Sequence, residues 1–358
     1  MNKNKILLWL CFNALSLPTF AKEVYPQNML VNVPVADLRF EPIAADINLT
    51  LPTSEETNTL QITQLLLGEH IIAQQEYIDQ GGVTWIKVSA LQQQRFLVPV
   101  GWHGYQGWML KQQTIKVDEF PTHNLVVRRQ LATITTQDST KLCTVSIGTR
   151  LQGMQHSNDM WEIILPDGTK GWIDGRDVYF IDPILHESMD SIRQTVINTA
   201  QTFMGNLYSW GGRSAQNPEI AISSVDCSAL LNLSFLTQGL QIPRMSREQF
   251  LEAQEIQHGS QLQAGDFVFF ASIKKHPFQI DHVMMFIGNG MLLEMTIADQ
   301  KLARIIPFQD RIGIPHDQMQ SGDIIEEIDD QYNVYFGTFF TTHQDLQLLR
   351  DQALQHHY

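Results

Sequence analysis

Two stretches decide how this chain is read: Val225-Asp226-Cys227-Ser228-Ala229-Leu230-Leu231, and further on Asp281-His282-Val283-Met284-Met285-Phe286-Ile287. In the first a polar turn meets an apolar helix. Cys227 therefore stands in the first helical turn, where the helix dipole and unpaired N–H groups favour a thiolate over a thiol. The second stretch reads as a strand and carries His282, an imidazole that can take the thiol proton and later give it to a leaving amine. Together the two residues point to cysteine hydrolase chemistry. A purely structural buried cysteine needs no polar neighbours on both sides. His276, the nearest rival to His282, precedes Pro277 in what reads as a surface loop.

Working outward, Asp226 or Ser224 can cap the cysteine helix, Leu230, Leu233 and Leu236 supply its buried face, and Gly239 suits its C-terminal stop. A helix anchored in this way holds a nucleophile in attack geometry. Upstream, Ile192, Val196, Ile197, Ala200 and Phe203 follow helical spacing after a linker over residues 181–190, with Ser188 or Asp190 as the cap and Gly205 as the end. Downstream, the run from Asn333 to Phe340 reads as a last strand, and Arg304 through Asp323 as a loop bordering the cleft.

Before residue 185 the chain repeats itself. Val35–Arg39, Leu65–Glu69, Thr84–Val88 and Gly104-Tyr105-Gln106-Gly107-Trp108 are answered in order by Leu125–Arg129, Val145–Thr149, Met160–Ile164 and Gly168-Thr169-Lys170-Gly171-Trp172. Short alternating segments broken by Gly and Asp turns predict two small antiparallel barrels. The first copy carries an insertion, Leu91 to Trp102, whose length and apolar content predict a loop that packs or binds.

At 358 residues, 43% hydrophobic and 17% charged, the chain has material for several modules. Its start, Met1-Asn2-Lys3-Asn4-Lys5 followed by Ile6 through Phe12, reads as a secretory leader cleaved after Ala21. Asn13 and Ser16 interrupt the apolar run, which is too short to span a bilayer. Removing the leader takes Lys3, Lys5 and no acid, so the net charge moves from −14 to −16, with 22 basic against 38 acidic residues. That balance excludes nucleic acid as a partner. With no later apolar run of spanning length, the expectation is an exported, periplasmic protein without a membrane span. Cys143 and Cys227 remain after cleavage, either as a disulfide or, the preferred reading, as two separate thiols with Cys143 a small buried strand residue. No His/Cys cluster has ligand spacing, so no metal or cofactor is expected.

Five ordered motifs carry a resemblance: Tyr208-x-Trp210-Gly211-Gly212; Asp226-Cys227-Ser228-Ala229-Leu230; Ile242-Pro243-Arg244-x-Ser246-x-x-Gln249; Leu262-x-Ala264-Gly265-Asp266-x-Val268-Phe269-Phe270; and His282-Val283-x-x-x-Ile287-Gly288-Asn289-Gly290. From Tyr208 onward the chain resembles the NlpC-type family of papain-like cell-wall cysteine peptidases, and the paired barrels are similar to bacterial SH3 domains. The resemblance implies a multidomain protein, two small SH3-like β-barrels followed by a papain-like α+β peptidase domain. Its parts are a signal peptide at 1–21, a first SH3-like domain with insertion at 22–122, a second at 123–185 and the peptidase at 186–358. It implies Cys227 as nucleophile and His282 as base. Where the family has a His, Asn or Gln to orient the imidazole this chain has Glu294, which can accept the imidazole N–H at least as well.

Relatives that join SH3 modules to this peptidase cleave peptidoglycan stem peptides or muropeptides between γ-D-Glu and a diamino acid, with a free N-terminal L-Ala. On that likeness Glu69 and Tyr105 from the first barrel, with Asp226, Ser228 and Ser246, line the substrate pocket, and carboxylates there suit an ammonium group. Met245 stands where such relatives commonly carry another acid. Two other classes fit the same scaffold: a wall-binding protein that has lost activity, and an amide or acyl transferase.

Overall fold

The computed structural model describes residues 23–43, 60–157, 159–214, 224–274, 279–296, 302–327 and 330–354. The leader reading and His276 lie outside them.

The N-terminal half consists of two seven-stranded antiparallel units. The first uses Gln27–Val31, Val35–Arg39, Gln61–Leu66, His70–Ile78, Thr84–Leu97, Gly101–Leu110 and Thr114–Lys116. The second uses Leu125–Val127, Leu131–Thr135, Lys141–Ser146, Arg150–Ser157, Met160–Ile164, Lys170–Asp174 and Val178–Phe180. Numbered within each unit, the strands lie in the same spatial order, 3-2-6-5-4-1-7. The repeat in sequence is thus a repeat of topology. The recurring glycine before each tryptophan has a matching cause. A Cβ on Gly107 would come within 2.6 Å of Leu38, and one on Gly171 within 2.6 Å of Ile134, each on the second strand of its own unit. The sixth strand can approach that closely only without a side chain.

The insertion forms no loop. It lengthens the fifth and sixth strands of the first unit into a hairpin that pairs Gln94 with Gly104 and Leu97 with Gly101, beyond a register shift after Ala90. The bulge turns the glutamines Gln92 and Gln93 into the interior. Cys143 lies on the third strand of the second unit and, like Cys227, is a free thiol.

The C-terminal half packs helices against an antiparallel sheet. Helix α1 (Met189–Gln201) is capped by Ser188, whose hydroxyl accepts from Ser191 N–H, and α2 (Cys227–Leu236) by Asp226. Every residue of α2 is buried, because α1 and the sheet cover it on both sides. Gly239, at φ 67°, ends the turn after it, its N–H donating to Leu236 carbonyl at 2.8 Å. Helix α3 (Ser246–Glu252) follows. The sheet runs Gln254–Ile256, Gln331–Thr338, Phe267–Ser272, Ile280–Gly288, Met291–Met295, Ala303–Pro307, with Asp323–Glu326 beside Gln331–Thr338.

The segment from Arg304 to Asp323, expected as loop, is largely ordered structure: the strand Ala303–Pro307, then helix α4 (Phe308–Ile312). Phe308, Ile312 and Met319 explain this, since they bury against Val268, Phe286 and Phe336 on one face of the sheet. The last strand enters between two others and not at the edge. Helix α5 (His343–Leu354) closes the chain, with Arg350 bonding Tyr179 hydroxyl at 3.0 Å and Gln238 carbonyl at 2.7 Å. It thereby ties the second unit to the end of α2.

Among the described residues no helix is long and apolar enough to cross a membrane.

Candidate active site

Cys227 is the first residue of α2 and is 8% exposed. Asp226 caps the helix, accepting from Ala229 N–H at 2.8 Å and from Gly211 N–H at 3.1 Å. The short strand Leu207–Tyr208 runs parallel to Ser224–Val225, the strand leading into the cysteine. This brings Tyr208 beside Cys227. Burial first, and then the charges of Cys227 and Asp226, push the Tyr208 phenol upward, so that it stays protonated.

His282 faces α2 from the strand Ile280–Gly288 and is 15% exposed. Its Nε2 lies 2.8 Å from Glu294 Oε2 on the adjacent strand Met291–Met295. The Cys227 side chain lies close enough to the His282 ring to act on its charge. With Nε2 engaged by Glu294, that contact falls to Nδ1. Burial alone would lower the His282 pKa. The hydrogen bonds and charges of Cys227 and Glu294 outweigh it and hold the imidazole up at about 9.

Glu294 is fully buried, at 0% exposure. Burial would raise its carboxyl. His282, Arg311 and Arg304 overcome this and bring it down to about 2. Arg304 holds Oε1 through Nε at 2.8 Å and Nη2 at 2.7 Å, while Arg311 Nε reaches Oε2 at 3.3 Å. Neither arginine was singled out as a site residue from the sequence. The available signal was a strand register that places Arg304 directly opposite Glu294.

Three residues expected to line the substrate pocket have charged partners within the protein. The Glu69 carboxylate is buried and paired with Arg213, with Gln93 Nε2 donating to its other oxygen at 2.9 Å. Arg213 in turn reaches Asn232 on α2 at 3.1 Å. This pairing clamps the first unit to the cysteine helix and balances the Glu69 charge with a guanidinium. Asp226 is gripped by Arg244 at 2.9 and 2.8 Å, one oxygen from each terminal nitrogen. Ser228 is closed into the same network, donating to Asp226 at 3.1 Å and accepting from Arg244 at 3.0 Å. Arg244 also meets Thr63 of the first unit at 3.0 Å.

Ser246 opens α3 without capping it and donates its hydroxyl to Ile280 carbonyl at 3.1 Å, pinning α3 to the histidine strand. Tyr105, on the sixth strand opposite Ala90, is buried in the core of the first unit, with the Arg95 guanidinium 5.0 Å from its ring centre. Burial pushes its phenol up, and the charges of Glu248, Arg244 and Asp226 reach it. The hairpin itself docks on α3, Arg247 donating to Phe96 carbonyl at 3.0 Å. Met245 packs against the core of the first unit.

Among the described residues no group of His, Cys, Asp or Glu has the arrangement of a metal site. The remaining assembly can do nucleophilic acyl chemistry: a thiol at a helix start, an imidazole in contact with it, and a carboxylate behind the imidazole.

Comparison with known proteins agrees with that chemistry. Residues 205–310 match the NlpC/P60 family. A γ-D-glutamyl-L-lysine dipeptidyl-peptidase of Bacillus cereus is 29% identical over 255 residues, 68% of this chain and 70% of that one. The peptidoglycan endopeptidase RipB of Mycobacterium tuberculosis is 32% identical over 130 residues, 33% of this chain and 52% of its own length. A crystal structure of an NlpC/P60 family protein from Bacillus cereus superposes with a TM-score of 0.62 at 24% identity, covering 78% of this chain and 94% of that one, which shows a shared fold.

Proposed function

Because residues 205–310 belong to the NlpC/P60 family, we propose that this chain is a thiol peptidase that hydrolyses an amide bond in peptidoglycan stem peptides. The carrying observation is the line of groups at the start of α2, with Cys227 beside His282 and His282 bonded to Glu294 at 2.8 Å. Cys227 Sγ attacks the carbonyl carbon as His282 Nδ1 holds the thiol proton. The tetrahedral oxyanion is met by N–H groups at the helix start and by the protonated Tyr208 hydroxyl. His282 then gives its proton to the departing amine, leaving a thioester. Water attacks the thioester, with His282 again taking the proton, and Cys227 is regenerated.

The bond we assign is the one between γ-D-Glu and the diamino acid, in a fragment that begins with a free L-Ala. The γ-D-glutamyl-L-lysine dipeptidyl-peptidase of Bacillus cereus, similar over 68% of this chain, supports that choice. The two N-terminal units act as SH3-like modules in this reading. Tyr105 and Ser246 border the substrate, while Glu69, Asp226 and Ser228 hold the walls in place. The leader at 1–21 delivers the enzyme to the periplasm.

Digestion of defined muropeptides by wild type and Cys227→Ala, followed by mass spectrometry, tests the assignment. Expected is cleavage after γ-D-Glu by wild type alone, and faster for free than for N-acetylated L-Ala. Cleavage at another bond would overturn the finer assignment, and no cleavage of any muropeptide would overturn the substrate class.

A further inference from the structure

Glu294 is surrounded by more positive charge than one carboxylate needs. His282 approaches Oε2 from one strand, Arg304 grips Oε1 from the strand on the other side, and Arg311 reaches Oε2 from α4. The two arginines are mostly covered, at 23% and 16% exposure. Arg311 also pairs with Glu327 and lies 4.8 Å over the ring of Phe270, whose strand position is directly opposite His282. The contacts therefore close a ring: Phe270, His282, Glu294, Arg311 and back to Phe270.

A lone buried carboxylate against an imidazole has a cost for the reaction. It holds the imidazolium so firmly that the proton is released reluctantly to the leaving amine. Arginine cannot lose its charge, and a guanidinium fork fits a carboxylate oxygen at fixed geometry. We propose that Arg304 and Arg311 are positioning residues that act through Glu294, aiming Oε2 at His282 while offsetting the carboxylate charge, so that Glu294 orients the imidazole without trapping its proton.

The other charged or titratable groups nearby are Cys227, on the far side of His282, and Glu327, beyond Arg311. Asp281, Asp330 and Tyr332 lie on the same flank. Among the described residues, His282, Arg304 and Arg311 are the charged groups paired with Glu294. The inference rests on Cys227 and His282 acting as a thiol–imidazole pair, and on no particular substrate.

The test needs no substrate. The rate of Cys227 alkylation by iodoacetamide is followed against pH in the full-length protein, with Cys143 as an internal reference. The upper inflection of the Cys227 profile reports loss of the His282 proton. Arg304→Met should move that inflection up by roughly one pH unit, since a cation that opposes the imidazolium is gone. Arg304→Lys, which keeps the charge, should leave it near the wild-type position. Arg311→Met gives the same reading independently if Arg304→Met does not fold. An inflection that stays put or falls in the Met variants overturns the proposal, even where thermal stability drops. Because alkylation is measured without peptide, failure of the peptidoglycan assignment would leave this result standing.

Discussion

Replacing Glu294 with glutamine removes one buried negative charge and little else, since the amide keeps the shape and an oxygen to accept from His282 Nε2. In the wild type His282 is held at about 9 against its ordinary 6.5, a preference for the imidazolium worth about 3 kcal/mol. Cys227 and Glu294 both supply it. If Glu294 accounts for roughly half, Glu294→Gln brings the imidazole down to about 7.8. At pH 8.5 the charged fraction then falls about five-fold, while at pH 6.5 it barely changes. kcat/KM for a muropeptide should show the same contrast, and Cys227 alkylation should show the step without substrate. Arg304 and Arg311 lose their counter-charge in this variant, so a thermal melt must accompany the kinetics. An equal loss of kcat/KM at both pH values, with the alkylation step unmoved, would refute the idea that His282 feels the carboxylate charge.

Iodoacetamide near neutral pH should label Cys227 much faster than Cys143, whose thiol is pushed up by burial; mass spectrometry of the labelled peptides gives the ratio. The Glu294 carboxyl lies at about 2 when folded against 4.5 ordinarily, so it contributes stability fully present above pH 4.5 and lost as pH falls through about 2. Wild type should therefore lose about 3 kcal/mol more than Glu294→Gln across that window in acid denaturation, as an upper bound. Asp226→Asn cuts the grip of Arg244, whose side chain is entirely covered, and urea unfolding should show a loss of about 3 kcal/mol or more. Gly171→Ala drives a methyl group against Ile134 and should lower stability by about 1–3 kcal/mol, read from the same unfolding curves.

Local pattern carried much of this molecule. The helix that begins at Cys227 is legible because Asp226 and the apolar run from Ala229 to Leu231 state a cap and a buried body side by side. The duplicated unit is legible because its glycines and tryptophans recur in step, and identical strand orders produce identical steric needs at Gly107 and Gly171. What stayed hidden depends on pairing over distance. Glu69 reads as an acid facing substrate until the fold brings Arg213 to it across 144 positions. Asp226 reads as a substrate anchor until Arg244 arrives from the loop before α3. Arg304 shows no periodic signal, since Ala303–Pro307 is a short strand ending in proline. Its role appears only when the strand register sets it opposite Glu294. The insertion reads as a loop that packs, and it does pack, but as a hairpin: Gln92 and Gln93 turn inward at the bulge, Gln93 bonding Glu69 within the unit and Gln92 carbonyl accepting from Gln241 of the catalytic half at 3.0 Å.

The joint between the first unit and α2 has a consequence for how this chain can be divided. Thr63, Gln64, Glu69 and Gln93 meet Arg213, Arg244 and Asn232 in a polar seam with almost no water-facing surface. Cutting the catalytic half free would take the Glu69 carboxylate from the buried Arg213 guanidinium and the Thr63 hydroxyl from Arg244. The sequence looks like beads on a string, but this bead cannot be exchanged by simple recombination at the linker. A change at Glu69 therefore leaves Arg213 without its buried counter-charge unless Arg213 changes with it.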